Sequence, residues 1–396
     1  MGMKKLLKVL PFFVLLIFMF FSAKQTYADS APIVPVGNNF LQLQTKIDEA
    51  SGTTQIQLTS DIELHQTIEI VAGKDIILDL NGHTVSSSSQ FTTSAEFYVA
   101  SDAKMTLIDS SAEKTGLIVQ TTRPQAVWVN GEFVMNGGCI SGSDNYNAQV
   151  IHLAGDNAKF TMNGGTITGN KKAKKAIFFA GGGSTFIMNG GVIKEFIGDD
   201  GCVVKSTDSS VQVKLLGGEI KDNISPHGCV YVMTESGNFV IGNGMEIWDN
   251  YNPEKTTNAN VLINGIYKVK VENPSADMMF GVSFIGNPAL GTITADADFL
   301  TSDTDKSAIP LEAIFADDPK FYFDSTTGKY TSKTPLVEGE VDFLCYANLK
   351  CVVASAPIAY ANKSKTYKWQ ISSDEGNRKN IMNCVDCFVN DKCSFK

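Results

Sequence analysis

The stretch Phe133-Val-Met-Asn-Gly-Gly-Cys-Ile140 returns almost unchanged as Phe160-Thr-Met-Asn-Gly-Gly-Thr-Ile167 and as Phe186-Ile-Met-Asn-Gly-Gly-Val-Ile193. Two weaker copies follow at residues 213–220 and 239–247. The residue before the glycine marks the origin of each copy, and the origins are separated by 27, 26, 27 and 27 residues: Asn136, Asn163, Asn189, Leu216 and Asn243. A repeat this regular defines an architecture.

The side-chain period decides which architecture it is. Apolar residues alternate within each copy, as at Phe133 and Met135, which is the period of a strand and excludes a helix there. A second apolar run, such as Val150-Ile-His-Leu153, follows each origin by about fourteen residues. Short strands separated by Gly and Asn turns predict an all-β fold, a parallel β-helix solenoid with about 27 residues per rung.

In such a solenoid the same position of every rung falls into one column, with rungs stacked at roughly 4.8 Å. We therefore expect one inward column of aromatic rings, made by Phe133, Phe160, Phe186 and Phe239. Methionines and isoleucines of the repeat should form two further inward columns. The glycine pair allows positive φ at the corner. Asn136, Asn163 and Asn189 are interpreted as structural, because an asparagine can bond along the column to the one above it.

The first 28 residues have the pattern of a secretory signal peptide. Three lysines, an apolar run from Val9 to Phe21 and a polar stretch ending at Ala28 follow one another. The apolar run is short for a membrane span. Without the four lysines of residues 1–28 the formal charge of −9 becomes −13. So acidic a chain argues against nucleic acid or an anionic membrane as partner.

The chain divides into five segments by sequence character. Residues 1–28 are the predicted signal, 29–72 an N-terminal cap of one short helix and two strands, and 73–290 the β-helix. Closing strands at 291–330 precede a small region at 331–396 that contains five of the eight cysteines. A cap is expected because an open solenoid end exposes its core and its strand edge.

One further stretch, taken together with the repeats, resembles a known class of proteins. Ile77-Leu-Asp-Leu-Asn-Gly-His-Thr-Val85, followed by the Met-Asn-Gly-Gly-Xaa-Ile repeats, resembles the right-handed parallel β-helix surface proteins of Gram-positive bacteria, which have a pectate-lyase-like fold. The resemblance covers roughly residues 36–330 and implies a right-handed solenoid and an adhesin-like, secreted or cell-surface protein. It says little about activity, because unrelated functions share this scaffold.

One set of residues suggests catalysis. Gly198-Asp-Asp-Gly-Cys-Val203 and Pro226-His-Gly-Cys-Val230 are similar to the Asp-Asp and Gly-His-Gly motifs of β-helix polygalacturonases, which are inverting glycosidases. Asp200 and His227 stand eleven residues past their origins and should lie one above the other, with Asp199 beside them. Inverting hydrolysis needs an acid and a base carboxylate on either side of the bond. The preceding rung offers Lys174 at that position, so a variable turn is the preferred interpretation.

A second set could hold a cation. Glu195, Asp222 and Asp249 each stand six residues past an origin, so three carboxylates should stack about 5 Å apart. Like charges at that distance repel unless they are hydrated, protonated or bridged. Calcium accepts such oxygens. The alternative, which we prefer, is a solvated face with lysine neighbours.

The cysteines fall into two groups. Cys202 and Cys229 share a column and are interpreted as two buried thiols, with a cross-rung disulfide as the alternative. An exported chain can also form disulfides near its C-terminus, among Cys345, Cys351, Cys384, Cys387 and Cys393. Five is an odd number, so one thiol is left over or pairs elsewhere. His65, His83 and His152 are scattered in the sequence without evident partners, so ordinary packing or surface roles are expected for each.

These observations favour a non-catalytic protein that binds a glycan, a cell-wall polymer or a host surface ligand along an elongated face. The alternatives are a polysaccharide-cleaving enzyme on the same scaffold and a passive wall or biofilm component. No cofactor is expected, apart from calcium if the carboxylate column binds it.

Overall fold

The computed structural model describes residues 33–37, 39–120, 125–143, 148–206, 208–233, 238–265, 267–287, 292–293, 297–310, 312–318, 321–324, 329–332, 368–372 and 378–383. These residues form an all-β parallel solenoid of about seven turns, as the repeat predicts. Within each turn the chain passes through three short strands, and each strand pairs in parallel with its equivalents in the turns before and after. The solenoid therefore has three sheet faces.

Face 1 consists of the strands that carry the second apolar run of each repeat: Ile68–Ile70, Ala95–Val99, Gln125–Val129, Gln149–Leu153, Lys175–Phe179, Val204–Ser206, Val230–Val232 and Val261–Asn264.

Face 2 consists of the strands that precede the glycine corner: Ile33–Val36, Thr53–Leu58, Asp75–Asp79, Lys104–Ile108, Glu132–Met135, Lys159–Met162, Thr185–Met188, the first parts of Gln212–Lys221 and Phe239–Ile247, and Lys270–Glu272. Its first two strands lie within residues 29–72, so solenoid pairing begins inside the segment assigned to the cap.

Face 3 consists of the strands that follow the corner: Ile62–Leu64, Thr84–Ser87, Leu117–Val119, Cys139–Ser141, Thr166–Thr168, Val192–Lys194, the last parts of Gln212–Lys221 and Phe239–Ile247, the start of Met279–Asn287, and Ile314–Ala316. Met279–Asn287 continues onto face 1, where it pairs with Val261–Asn264.

The predicted phenylalanine column is present in the core. The rings of Phe133 and Phe160 lie 5.1 Å apart with 12° between their planes, and Phe160 and Phe186 lie 5.2 Å apart at 9°. In the next turns Val213 and Phe239 continue the column by strand register. All five side chains have no exposed surface. Burying one such ring stabilises the fold by about 1.5–3 kcal/mol, so this column is a large part of what holds the turns together.

The glycine corner combines side-chain bonds with special backbone geometry. Asn163 Nδ2 donates to Asn136 Oδ1 at 2.8 Å, and Asn189 Nδ2 donates to Asn163 Oδ1 at 2.8 Å. The second glycine of each pair takes the positive φ, as at Gly165 with +84°. A Cβ there would lie 2.6 Å from the carbonyl oxygen of Gly138 in the previous turn. Neighbouring corners therefore approach each other so closely that only glycine fits.

Separate elements lie at the two ends. The helix α1 (Phe40–Glu49) starts at Asn39, whose side chain accepts the N–H of Leu41 at 2.8 Å, and it buries Leu43 and Ile47 against the first turn. Near the other end lie the 3₁₀ helix Lys306–Ala308 and an antiparallel sheet of Ala297–Asp298, Phe321–Asp324 and Lys329–Ser332.

Two antiparallel pairings complete the described chain. Thr292–Ile293 pairs with Met279–Asn287, and Lys368–Ser372 pairs with Arg378–Asn383. Within the described ranges, no helix has the length and apolar character needed to cross a membrane. The predicted signal peptide lies outside the described residues.

Candidate functional site

A cleft of about 630 Å³ runs along face 3, from its corner with face 2 to the far end of its strands. Its lining residues come from four consecutive turns, so it extends roughly 14 Å along the solenoid axis. Lys114, Cys139, Thr168 and Lys194 each stand on a different one of these turns. The side chains differ from turn to turn, so the cleft offers a series of different polar groups along its length.

Glycines line the corner end of the cleft: Gly137, Gly138 and Gly165. A Cβ on Gly138 or Gly165 would meet atoms of earlier turns, 2.9 Å from a Leu80 methyl and 2.6 Å from the Gly138 carbonyl oxygen respectively. Asn136 also lines the cleft, with its Oδ1 accepting a hydrogen bond from Asn163. The stacking of the turns thus fixes the backbone at this end of the cleft.

Asp109 closes one end of the cleft. Its carboxylate accepts four hydrogen bonds: from the backbone N–H of Gly116 at 2.7 Å, from that of Gly82 at 2.9 Å, and from the hydroxyl and N–H of Ser111 at 2.8 and 3.2 Å. Burial by itself would raise the pKa of Asp109, but these hydrogen bonds outweigh it and the pKa is lowered. The charge therefore serves to hold neighbouring backbone segments together.

The cleft is also lined by two lysines, two threonines and a glutamate. Lys114 Nζ donates to the carbonyl oxygen of Asp109 at 2.7 Å. Lys194 lies beside Thr168 by strand register, and Thr168 donates its hydroxyl to Glu195 at 2.9 Å. Two ammonium groups, a threonine hydroxyl and a carboxylate can bind a ligand rich in hydroxyl or carboxylate groups.

Cys139 is the half-buried thiol of the cleft. Burial raises its pKa, while the charge of Lys194 lowers it and that of Glu195 raises it to a smaller degree. A thiol held in its neutral form is a weak nucleophile. The cleft therefore has the composition of a binding site and lacks an activated nucleophile at this position.

The proposed catalytic residues lie elsewhere, at the corner between face 3 and face 1. His227 Nδ1 lies 3.0 Å from Asp200 Oδ2, so these two are adjacent, as the spacing predicts. Asp200 Oδ1 also accepts the N–H of His227 at 2.8 Å and the hydroxyl of Ser225 at 3.1 Å. Asp199 is exposed. The Asp200 carboxylate thus ties two turns together, and the pair stands outside the cleft.

Two of the three carboxylates proposed to bind a cation, Glu195 and Asp249, have local hydrogen-bond partners. Glu195 accepts from Thr168, and Asp249 accepts the hydroxyl of Tyr251 at 2.8 Å. Burial, together with this hydrogen bond, raises the pKa of Tyr251 to about 12. Asp222 is exposed. In the part of the chain that the structure describes, no group of three or more His, Cys, Asp or Glu side chains could hold a metal ion, so these positions give the calcium hypothesis no support.

Two of the histidines have acidic partners that the sequence did not make evident. His65 Nε2 lies 3.7 Å from Glu63 Oε2, and His83 Nδ1 lies 3.4 Å from Asp61 Oδ1. The 27-residue repeat did not predict these contacts, because both lie in the early turns, where the sequence does not follow the repeat.

His152 belongs to an external ladder on face 1. It stacks on Trp128 at 4.6 Å between ring centroids and contacts Phe178 at 5.2 Å. Its Nδ1 lies 2.6 Å from Gln149 Oε1. Burial lowers the pKa of His152, so the ring is neutral near pH 7. The planes of Trp128 and His152 are 18° apart and therefore stack, whereas Phe178 is tilted 54° from His152.

Comparisons with known proteins give no match: no protein-family model, no curated protein and no solved structure is similar to this chain at a significant level. The assignment of the fold therefore depends on the strand pairing and register described above.

The five cysteines predicted to form disulfides near the C-terminus lie outside the described residues: Cys345, Cys351, Cys384, Cys387 and Cys393.

The sequence predicted no cleft at this position. Asn136 was expected to be structural, and Glu195 was a candidate cation ligand with Lys194 as a lysine neighbour. Lys114 and Thr168 were not singled out. The available signal was the alternation itself: in the face 3 strands of the central repeats, the residues on either side of the buried isoleucine point outward, as Thr166 and Thr168 do around Ile167.

Proposed function

We propose that this protein is a secreted or cell-surface β-solenoid that binds a polysaccharide in the cleft along face 3 without cleaving it. The observation that carries the proposal is the presence of hydrogen-bonding side chains on four consecutive turns. An extended polymer can contact all four turns at once, whereas a small compact ligand would use only one or two. The signal-like residues 1–28 support export.

The chemistry of the cleft suits binding. Threonine hydroxyl, asparagine amide, lysine and glutamate supply both donors and acceptors for sugar hydroxyls. The two carboxylates of the cleft, Asp109 and Glu195, stand on its first and fourth turns, roughly 14 Å apart along the axis, which exceeds the roughly 6.5–9.5 Å between the acid and base of an inverting glycosidase. Catalysis requires such groups on either side of the scissile bond, so binding is the better supported function.

A glycan array, followed by titration with the best polymer, tests the proposal. Thr166→Trp would fill the cleft and is expected to lower affinity at least tenfold. The matched control is Thr161→Trp, because Thr161 lies half-buried on face 2 of the same turn and outside the cleft. Equal affinity in both variants would place binding elsewhere. Absence of binding to every polymer would favour a passive wall or biofilm component.

A further inference from the structure

Two buried thiols lie on consecutive turns at the corner that leads into face 1. Cys202 and Cys229 are 1% and 0% exposed. The backbone joins the two segments, because the N–H of Val203 donates to the carbonyl oxygen of Cys229 at 2.9 Å. The thiols also hydrogen-bond to each other. Both carry free sulfhydryl groups in this structure.

The backbone spacing suits a covalent bond between them. Neighbouring parallel strands lie about 4.8 Å apart, and disulfides span Cα separations of about 4.4–6.8 Å. The hydrogen bond between Val203 and Cys229 places the two cysteines on strands of this spacing, so formation of the bond requires chiefly the right side-chain rotamers. The local pairing is also irregular: the N–H groups of Val203 and Val204 both donate to the carbonyl oxygen of Cys229, at 2.9 and 3.3 Å.

We propose that Cys202 and Cys229 are an oxidative modification site, at which a disulfide closes across two turns when the chain folds with a low-molecular-weight disulfide as oxidant. The thiolate of one cysteine attacks the oxidant, forming a mixed disulfide and releasing one thiol. The second thiolate then displaces the remaining half, so one S–S bond joins the turns. The two cysteine protons and two electrons end on the two thiol products of the oxidant.

The timing of the reaction follows from burial. Burial raises the pKa of Cys229 well above its usual value, and the hydrogen bond with Cys202 and the charge of Asp317 add to this effect. Thiolate is the reactive form, so the folded, reduced protein should react slowly. The bond should form mainly while the corner is still assembling, when the sulfur atoms are near each other and still solvated.

The bond would act as a staple. The two cysteines are 27 positions apart, which is one full turn of the solenoid. A crosslink over one turn restricts the unfolded chain and prevents the two turns from separating. The fold would then be more resistant to local opening in an oxidising compartment than in a reducing one.

Disulfide mapping of the full chain tests the proposal. The reduced, urea-unfolded protein is refolded with reduced and oxidised glutathione, remaining thiols are alkylated, and tryptic peptides are analysed by mass spectrometry. Trypsin cleaves after Lys205, Lys214 and Lys221, so the two cysteines fall in different peptides. The expected product is a linked pair of these peptides. Recovery of both as alkylated thiols, or linked to other cysteines, would overturn the proposal.

Thermal unfolding supplies the second measurement. The oxidised protein should melt several degrees above the reduced one, and this difference should shrink in Cys202→Ser and in Cys229→Ser. Cys139→Ser is the matched control, since Cys139 stands on face 3, and it should keep the difference. An unchanged difference in the first two variants would contradict the staple. If these variants do not fold, the peptide map of the wild type decides alone.

Discussion

Asp317 receives two hydrogen bonds from one residue, Asn260: the backbone N–H donates to Oδ2 at 2.8 Å and Nδ2 donates to Oδ1 at 2.5 Å. Asn260 Oδ1 in turn accepts from Asn250 at 2.9 Å, and Asn250 Oδ1 accepts from Asn223 at 2.8 Å. All four side chains are buried. A polar chain thus runs through the last turns and ends at a carboxyl group 57 residues away in sequence.

This arrangement predicts a fall in stability with rising pH. Burial raises the pKa of Asp317 from 3.8 to about 7, against the opposing effect of its hydrogen bonds with Asn260 and Ser283. Between these values the folded protein keeps a proton that the unfolded chain releases. The free energy of unfolding should therefore decrease from about pH 4 to about pH 7, by up to about 1.4 kcal/mol per pH unit, and level off above.

Urea unfolding at a series of pH values measures this trend. Asp317→Asn cannot ionise and should lose most of the slope between pH 4 and pH 7. It should also be less stable overall, because the new amide NH2 group would face one of the two N–H donors of Asn260. Asp318→Asn is the control at the neighbouring position and should keep the wild-type slope. The same slope in Asp317→Asn and in the wild type would show that other groups cause it.

The phenylalanine column predicts a large effect of a single truncation. Phe160 lies between two parallel rings, so Phe160→Ala leaves a cavity that removes the packing partner of both neighbouring rings. The free energy of unfolding should fall by about 3–5 kcal/mol. Phe178→Ala serves for comparison, because Phe178 is half-buried on the outside of face 1. It should lower stability much less, as chemical denaturation can establish. Comparable decreases would mean that the inner column has no special weight.

The glycine corner predicts a position-dependent penalty. Gly165→Ala forces an alanine into a φ of +84° and places its Cβ 2.6 Å from the carbonyl oxygen of Gly138. Gly73 has a nearly equal φ of +80° but no atom within 4 Å of such a Cβ. Gly73→Ala should therefore lose only about 1–2 kcal/mol from the backbone conformation, and Gly165→Ala considerably more. Thermal denaturation of both variants gives the comparison, and equal losses of stability would argue against close contact between corners.

The Asp200 and His227 pair predicts a structural effect without a catalytic one. Asp200→Asn weakens the link between two turns and should lower the free energy of unfolding by about 1 kcal/mol. Asp199→Asn, at the exposed neighbour, should change little. Neither the wild type nor the variants should release reducing sugars from polygalacturonate or related polymers. Release by the wild type that disappears in Asp200→Asn would establish the enzymatic alternative.

The interior of this fold was predictable from sequence, whereas its outside was not. Phe133, Phe160 and Phe186 could be placed in one column because inward positions must repeat wherever the turns stack. Thr168 and Lys194 share a column as well, yet they differ in kind because solvent imposes no common requirement on them. The cleft also includes Asp109 and Lys114, which lie outside the Asn-Gly-Gly repeats and so could not be placed beside them from the repeat alone.

Contacts outside the repeat were equally hidden. Asn260 and Asp317 belong to no repeated phrase, and their pairing depends on how the closing segment returns to the last turns. The stacking of His152 between Trp128 and Phe178 follows from strand register, but only once the exact pairing of the three face 1 strands is known.

Each of the central turns makes the same contacts with the turn above as with the turn below. Met135 is followed across the register by Met162 and then by Met188, with phenylalanine and asparagine in step. Excising or duplicating one whole unit would therefore rejoin surfaces that already match, and the molecule could change its length in steps of one repeat. Evolution or an engineer could adjust the reach of the cleft in this way without redesigning the interior.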